Sequence, residues 1–275
     1  MTVGIDLTDG TRGVTVDGEG NIVSRHDALP TSASTPFGLA VQWPGDELPS
    51  AVAASLPPPV AKQATVISVG AATALAETWC GAARAVDDAI TFSMGEHVTA
   101  GAVVEGRLLR GSRGYAASVA WLALNPVERE DYRRYGGLEA EIAAAGIVRR
   151  LVWRIKSGDR SGVVDQVGGD LSRLTAEQVF AAARGGDGVC VSVIRDTAKY
   201  VGMAIANLAT MLDPEVVVLG GTLASAGDMM LEAIRLECSR RLRPQQAERI
   251  RIVLSTLGAD AAAIGAARAA LSQRQ

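Results

Sequence analysis

The stretch "EVVVLGG" at residues 215–221 constrains the fold more than any other part of the sequence. A continuous apolar run of this length is typical of a strand buried on both faces, as in parallel sheets that helices cover. A long apolar helix is predicted before it, over 188–211, and another helix after it, over 226–241. The pattern repeats with "IRIVLS" (250–255) and a helix over 260–272. Alternating helices and strands predict an α/β protein.

The earlier part of the chain is richer in strands. Strands are predicted at 2–7, 13–17, 21–29, 37–43 (stopped by Pro44-Gly45) and 65–69, followed by a helix over 71–85 and a hairpin of 89–95 and 102–111. Farther along the chain, an amphipathic helix is predicted over 137–156. Thr175 and Gln178 form a capping box that begins another helix. This order predicts two lobes. We expect an N-terminal α/β lobe over 1–115, with the closing segment 258–275 packing back on it, and a C-terminal α/β lobe over 116–275.

Composition excludes several classes of function. The chain of 275 residues has a formal net charge of −3, so it lacks the basic surplus typical of nucleic-acid binding. It has no apolar run of about 18 residues, and we expect no membrane span. Its start, "MTVGIDLTDG", shows no basic segment followed by an apolar one, which favours a cytoplasmic protein. Cys80, Cys190 and Cys238 are too far apart to predict a metal site or a disulfide framework.

The segment "SMGEHVTAGAVVEG" (93–106) is a glycine-framed loop in the predicted hairpin. Glu96 and His97 follow Gly95, where a turn of small residues would be expected. An imidazole beside a carboxylate is a candidate acid/base pair. Adjacent residues of a strand point to opposite faces, however, so the two side chains need not meet one ligand. The alternative is that both are solvated loop residues.

Five segments resemble the ROK family, which comprises bacterial sugar kinases and sugar-responsive repressors. They are "NLATMLDPEVVVLGGTLASAGDMMLEAIR" (207–235), "IRIVLSTLGADAAAIGAARAAL" (250–271), "GIDLTDGTRGVTVDGEGNIV" (4–23), "GLAVQWPGD" (38–46) and "GEHVTAGAVVEGRLLRGSRGYAASVAW" (95–121). The resemblance covers most of the chain in order and spacing. It implies the two-lobed actin-like ATPase fold (ribonuclease H-like) of sugar kinases. About a dozen residues separate "NIV" from "GLAV", which implies a shortened N-terminal lobe.

On the nucleotide side, the resemblance implies two groups of site residues. Asp6 falls on the family's metal-associated aspartate, and Gly220, Gly221 and Thr222 fall close to the adenosine or α-phosphate. Each has a structural alternative. In that alternative, Asp6 only accepts hydrogen bonds from the backbone amides of its turn, and Asp9 only stabilises the turn. The two glycines would then only provide the backbone geometry that ends a buried strand.

The residues that make the family a kinase differ here. The family's Asn-Asp-x-Asn stretch falls on residues 68–71, with Val69 at the catalytic aspartate, and valine cannot accept a proton. The family's second phosphate motif begins Gly-Thr-Gly, a backbone nest for anions. Here it reads Gly95, Glu96 and His97, and the carboxylate of Glu96 would repel phosphate. We therefore expect that ordinary ATP-dependent sugar phosphorylation is lost.

On the sugar side, the family's glutamate and histidine fall on Ser118 and Trp121, while a family glutamate is retained as Glu139. The zinc loop of the family falls near 132–141, where no cysteine is present, so no metal is expected. Trp121 either stacks on a ligand ring or fills the volume of the missing loop. Four arginines, at positions 107, 110, 133 and 134, are interpreted as solvated faces rather than anion clamps.

Three functions stay open at this point. The leading hypothesis is a ROK-like protein repurposed as an enzyme of non-phosphoryl chemistry on a sugar-like or polar metabolite in the interlobe cleft, with His97, Glu96 and Asp6 as catalytic groups. The first alternative is a non-catalytic pseudokinase that binds a ligand or regulates. The second is a glucokinase-like sugar kinase with a displaced base, the one case that calls for ATP and Mg²⁺ as cofactors. The expected partners are a small-molecule ligand and, by resemblance, a second copy in a homodimer.

Overall fold

Two five-stranded sheets organise this computed structural model, which describes residues 1–8, 10–29, 36–42 and 50–272. The strands are β1 (Thr2–Asp6), β2 (Arg12–Val16), β3 (Ile22–His26), β4 (Phe37–Val41), β5 (Ala64–Ser68), β6 (Ala89–Met94), β7 (Val98–Val104), β8 (Arg107–Leu108), β9 (Val216–Gly221) and β10 (Arg251–Leu254). The first sheet has the order β3-β2-β1-β4-β5 and the second β10-β9-β6-β7-β8. The turn residue Asp9 and the predicted stop at Pro44-Gly45 lie outside the described residues.

Helices cover these sheets. In chain order they are α1 (Ser50–Ser55), α2 (Pro58–Ala61), α3 (Val69–Cys80), α4 (Glu130–Tyr135), α5 (Gly137–Ile142), α6 (Ala144–Lys156), α7 (Val163–Gln166), α8 (Ala176–Arg184), α9 (Gly188–Leu212), α10 (Thr222–Ser225), α11 (Gly227–Ser239), α12 (Pro244–Arg249) and α13 (Ala261–Ser272). The described residues also form short 3₁₀ turns at Val119–Trp121, Leu171–Arg173 and Gly258–Asp260. No helix in the described ranges is long and apolar enough to cross a membrane.

The strand that led to the α/β prediction lies inside the second sheet. β9 pairs in parallel with β6 on one side and β10 on the other, and Val216 to Gly220 are all buried. Helix α9 before it ends with Asp213 in the left-handed conformation (φ 45°). The predicted buried parallel strand and the α/β fold are confirmed.

The closing helix α13 packs directly on the backbone of the first sheet. A β-carbon on Gly4 of β1 would lie 1.8 Å from the carbonyl oxygen of Ala263, and one on Gly38 of β4 would lie 1.9 Å from that of Ala266. Only glycine permits such an approach without a shift of the backbone. Helix α3 is held against α13 in the same way, because a β-carbon on Gly265 would meet the carbonyl of Ala72 at 1.7 Å.

The sheets divide the chain earlier than the expected boundary at residue 115. Strands β6, β7 and β8 (89–108) belong to the second sheet, together with β9 and β10. Strand β6 pairs in parallel with β9, β7 pairs with β6, and β8 pairs with β7. We therefore propose that the lobe boundary lies in the segment of α3, between β5 and β6.

Three predicted segments differ in detail. The loop predicted over 93–106 is a three-residue turn, because Met94 already pairs with Val98 and β7 runs to Val104. The helix predicted over 137–156 breaks at Ala143, whose extended conformation (ψ 164°) lets the next amide donate to the carbonyl of Gly95 over 2.9 Å. The helix predicted over 226–241 is the slightly shorter α11 (Gly227–Ser239), and α10 (Thr222–Ser225) precedes it as a separate short helix. The capping box of Thr175 and Gln178 is confirmed.

The close contact at Gly38 gives a test of this packing. The substitution Gly38→Ala should lower the free energy of unfolding by about 1–3 kcal/mol, since the added methyl group overpacks the contact with α13. Chemical denaturation measures the loss. Gly18→Ala is the matched control, because no atom lies within 4 Å of a β-carbon there. Equal stability of the two variants would contradict direct packing of α13 on β4.

Candidate functional site

A cavity of about 360 Å³ lies beside the turn between β6 and β7, a volume within the range of small-molecule sites. Strand β5, the start of α3, β7, the 3₁₀ turn Val119–Trp121, α4 and α5 all contribute to its wall. The polar and aromatic residues that line it are Gln42, Ser68, Thr99, His97, Ser118, Trp121, Arg134, Tyr135 and Glu139. Residues expected on the sugar side of the site are therefore brought together.

Glu139 on α5 joins this cavity to the β6–β7 turn. Its Oε1 lies 3.0 Å from Nδ1 of His97, and its Oε2 accepts a hydrogen bond from the Val98 amide over 3.1 Å. An ionised carboxylate offers about four lone-pair sites, so Glu139 keeps acceptor capacity for a ligand. The side chain of His97 is 44% exposed and that of Glu139 is 14% exposed. Both are accessible from the cavity that they line.

Glycine 136 sets the position of α5 against the rest of the cavity. Its φ is 98°, and a β-carbon there would lie 2.3 Å from the carbonyl oxygen of Ala120. This close approach brings the first turn of α5 against the 3₁₀ turn that carries Trp121. Glu139 and Trp121 consequently line the same cavity although they are 18 positions apart in the chain.

A buried ion-pair network holds the other side of α5. Glu141 is 5% exposed, and its carboxylate accepts hydrogen bonds from Arg150 (2.6 Å), Arg129 (2.9 Å) and the hydroxyl of Tyr132. Arg150 also donates to Thr197 of α9 over 3.1 Å. Burial acts to raise the pKa of Glu141, but the hydrogen bonds from Tyr132 and Arg150 and the two arginine charges hold it below its ordinary value of 4.5. The network fixes α5 to α4, α6 and α9.

Trp121 and Tyr135 present aromatic surface beside the cavity. Trp121 is 60% exposed and Tyr135 is 47% exposed. The alternative that Trp121 fills the volume of a missing loop is therefore wrong, because a filling side chain would be buried. Ser118 donates its hydroxyl hydrogen to the carbonyl of Tyr115 over 2.7 Å, which leaves its oxygen as an acceptor.

Gln42 is a residue that the sequence analysis missed. Within the described part of the chain, its side-chain Oε1 is buried and has no hydrogen-bond partner. Buried acceptors are nearly always satisfied, and an orphaned one needs an explanation. Gln42 lines the cavity. Its position after β4 gave no signal, because the cavity forms only when α4 and α5 pack nearby.

Glu96 does not share the cavity of His97. It lines a neighbouring cavity of about 390 Å³ with Gly95, Thr222, Glu177 and Arg184. The turn directs the two adjacent side chains to different places, as the alternation of a strand allows. The hypothesis of a Glu96–His97 acid/base pair is therefore wrong in its geometry: the carboxylate beside His97 is that of Glu139.

The backbone geometry at the end of β9 requires the two glycines there. Gly220 and Gly221 pair with Ser93 and Met94, and β-carbons there would lie 2.5 Å from the Ser93 hydroxyl and 2.4 Å from the Met94 carbonyl. Gly221 also has a φ of 61°. Thr222, the first residue of α10, lines the same cavity as Glu96.

Neither Asp6 nor Val69 lines the His97 cavity, although Val69 lies between two residues that do, Ser68 and Gly70. The Oδ1 of Asp6 accepts a hydrogen bond from the Thr8 amide over 2.9 Å and another from the Thr8 hydroxyl. Those bonds match the structural alternative for this residue. Val69 is buried as the first residue of α3, and the Ser68 hydroxyl caps that helix by accepting from Ala71. In the described residues, no group of three or more His, Cys, Asp or Glu is placed to hold a metal.

The comparisons with known proteins agree with this architecture. A family model described as "ROK family" matches residues 41–273. A glucokinase of Halalkalibacterium halodurans is 33% identical over 197 residues, which are 70% of this chain and 58% of that protein. A xylose repressor of Caldicellulosiruptor bescii is 28% identical over 70% of this chain and 48% of its own length. The matches thus span about half the length of these curated relatives.

Solved structures share the fold at low sequence identity. A ROK family glucokinase from Streptomyces griseus, in complex with glucose and AMPPNP, has a TM-score of 0.78 and 22% identity, and the match covers 98% of this chain and 99% of that one. The ROK hexokinase from Thermus thermophilus has a TM-score of 0.74 and 22% identity over 100% and 99% of the two chains. These matches confirm the two-lobed sugar-kinase fold.

The Glu141 network predicts a pH-dependent contribution to stability. Glu141→Gln should lower the free energy of unfolding by about 3 kcal/mol at neutral pH, because Arg150 keeps a buried charge without its counter-charge. The lowered pKa means that the stabilisation is full above the ordinary pKa of 4.5 and is lost as the pH falls through the folded-state pKa. Urea denaturation at several pH values should show the two proteins converging in acid.

The control for that measurement is an exposed pair. Glu128, whose side chain is 82% exposed, lies 3.3 Å from Arg133, and Glu128→Gln should change stability little. A Glu141→Gln effect as small as this, or one that is constant down to acid pH, would contradict the account of the network.

Proposed function

We propose that this chain, which belongs to the ROK family, binds a sugar-like metabolite in the Gln42–Glu139 cavity and responds to it as a non-catalytic protein rather than phosphorylating it. Curated relatives include both glucokinases and sugar repressors, so either a kinase or a regulator is compatible with the family. The residues of the cavity support the second. That this protein forms a homodimer stays a prediction drawn from the resemblance.

The orphaned Oε1 of Gln42 is the observation that carries the proposal. An unpaired buried acceptor costs about 1–3 kcal/mol. A ligand hydroxyl that donates to Oε1 removes this cost once the Gln42 side chain turns the atom toward the cavity that the residue lines. Glu139 supplies a second acceptor in the same cavity, and Trp121 supplies an exposed ring against which an apolar sugar face can stack. A polyhydroxyl ring satisfies all three groups.

The charge of the neighbouring cavity argues against phosphoryl transfer. Among the described residues that line it, Glu96, Glu177 and Arg184 are charged, one cation against two carboxylates. Arg184 is itself paired with Asp228 over 3.1 Å. Nucleotide phosphates would therefore meet net negative charge at the position that the resemblance assigns to them. A buried valine at position 69 also offers no base for a sugar hydroxyl.

One observation favours a second candidate function. His97 and Glu139 form a hydrogen-bonded imidazole–carboxylate pair at the wall of the ligand cavity. Such a pair can move a proton on a bound metabolite without ATP. The hypothesis of a repurposed enzyme therefore stays open with Glu139 in place of Glu96 and without Asp6.

The first test measures binding. A calorimetric titration with a panel of neutral hexoses, N-acetylhexosamines and pentoses should find a ligand, and Gln42→Leu should weaken it roughly tenfold, the equivalent of one lost hydrogen bond. The same variant should be at least as stable as the parent protein, since it removes an unpaired buried acceptor. Gln166→Leu, at an exposed position of α7, is the matched control. Unchanged affinity in Gln42→Leu would contradict the proposed hydrogen bond between Gln42 and the sugar.

The second test follows chemistry. Protein in excess over the tightest-binding sugar, with Mg²⁺ and ATP, is monitored by ³¹P and ¹H NMR, and we expect neither a phosphorylated sugar nor any other product. A phosphate ester formed in proportion to the protein would establish a kinase. A product formed without ATP, and lost in His97→Gln while binding persists, would instead establish the acid/base function.

A further inference from the structure

A third cavity, of about 680 Å³, lies between the open edges of the two sheets. Residues 65–67 of β5, the edge strand of the first sheet, form one side, and β8, the edge strand of the second, forms the other. Helices α3 and α13 contribute Trp79 and Arg268. This cavity shares no lining residue with the Gln42–Glu139 cavity or with the Glu96 cavity.

The wall of this cavity is strongly basic. Four arginines line it, at positions 84, 107, 110 and 268. Among the described residues of the wall, Asp87 carries the one carboxylate. The described residues of the wall thus place four positive side chains beside one negative side chain, in a chain whose formal net charge is −3. The wall of this cavity is therefore basic although the chain as a whole is acidic.

Three of these arginines have no carboxylate partner in the described part of the chain. Arg84, Arg107 and Arg268 are absent from its ion pairs. The guanidinium of Arg268 lies 5.3 Å from the centre of the Trp79 ring, which orients it beside the cavity. Like charges gathered at one cavity repel one another, so an anion bound between them would be stabilised.

We propose that this arginine cavity is a binding site for a phosphate group, carried by a small metabolite or free in solution. Arginine forks bind phosphate oxygens in a bidentate manner, and a phosphate monoester carries nearly two negative charges, which suits a wall with three arginines that lack a carboxylate partner. The volume admits more than a phosphate ion alone, and Trp79, Val86 and Leu108 supply apolar surface for the rest of an ester.

The position of the site connects it to both lobes. Arg107 belongs to the edge strand of the second sheet, while Arg268 belongs to α13, which packs on the first sheet. A phosphate that contacts both arginines joins the two lobes across their open edges. Strand β5 then continues from this cavity to Ser68 in the Gln42–Glu139 cavity. Phosphate binding in the arginine cavity does not require that a sugar binds in the Gln42–Glu139 cavity.

The test compares two double variants of equal charge change. Calorimetric titration at low ionic strength uses inorganic phosphate, a hexose 6-phosphate, a hexose 1,6-bisphosphate and a nucleoside diphosphate as probes. Arg107→Gln with Arg268→Gln should raise the Kd of the phosphorylated probe that binds by at least roughly tenfold. Arg240→Gln with Arg251→Gln, both exposed and away from the cavity, should leave it unchanged.

The probes also separate the sources of the phosphate. An ester that binds more tightly than inorganic phosphate assigns the site to a phosphorylated metabolite, whereas equal affinity assigns it to free phosphate. Absence of binding for all four probes, or an equal loss in both double variants, would overturn the proposal. Titration of the same arginine variants with the neutral sugar reports on the Gln42–Glu139 cavity, so the failure of one site is distinguished from that of the other.

Discussion

The carboxylate of Glu139 links the turn between β6 and β7 to helix α5, and the arrangement of the candidate site depends on that link. One oxygen meets the imidazole of His97 and the other accepts the amide of Val98, the first residue of β7. The turn is thereby held from outside its own hairpin. Because His97 is drawn toward α5, the adjacent Glu96 side chain is left on the opposite side, in the cavity that contains Thr222.

Two further contacts make that link possible. Gly136 allows α5 to approach the 3₁₀ turn of Trp121, and the buried Glu141 network fixes the same helix to α4, α6 and α9. Helix α5 therefore carries a ligand-facing carboxylate, Glu139, and a structural one, Glu141, two residues apart. Because Glu141 holds the helix in place, Glu139 keeps a fixed position in the cavity wall even though Val69 stands where the family has its catalytic base.

Local pattern was sufficient for the fold and insufficient for the site. The apolar run at 215–221 and the spacing of the family motifs predicted the α/β lobes, and the sugar-side group of Ser118, Trp121 and Glu139 was predicted with them. The pairing of His97 with Glu139 spans 42 residues and follows from the packing of α5, which no short motif encodes. The arginine cavity likewise brings together residues that are far apart in the sequence. Two of them, Arg107 and Arg110, were expected on solvated surfaces rather than in an anion site.

A crystal structure with the tightest-binding sugar would show directly which groups hold the ligand. We expect a ring beside Trp121, with one hydroxyl about 3 Å from Oε1 of Gln42 and another about 3 Å from the carboxylate of Glu139. The Glu96 cavity should stay free of the sugar. A ligand bound beside Glu96 and Thr222, or one that leaves Gln42 without a hydrogen bond, would contradict the proposed sugar site.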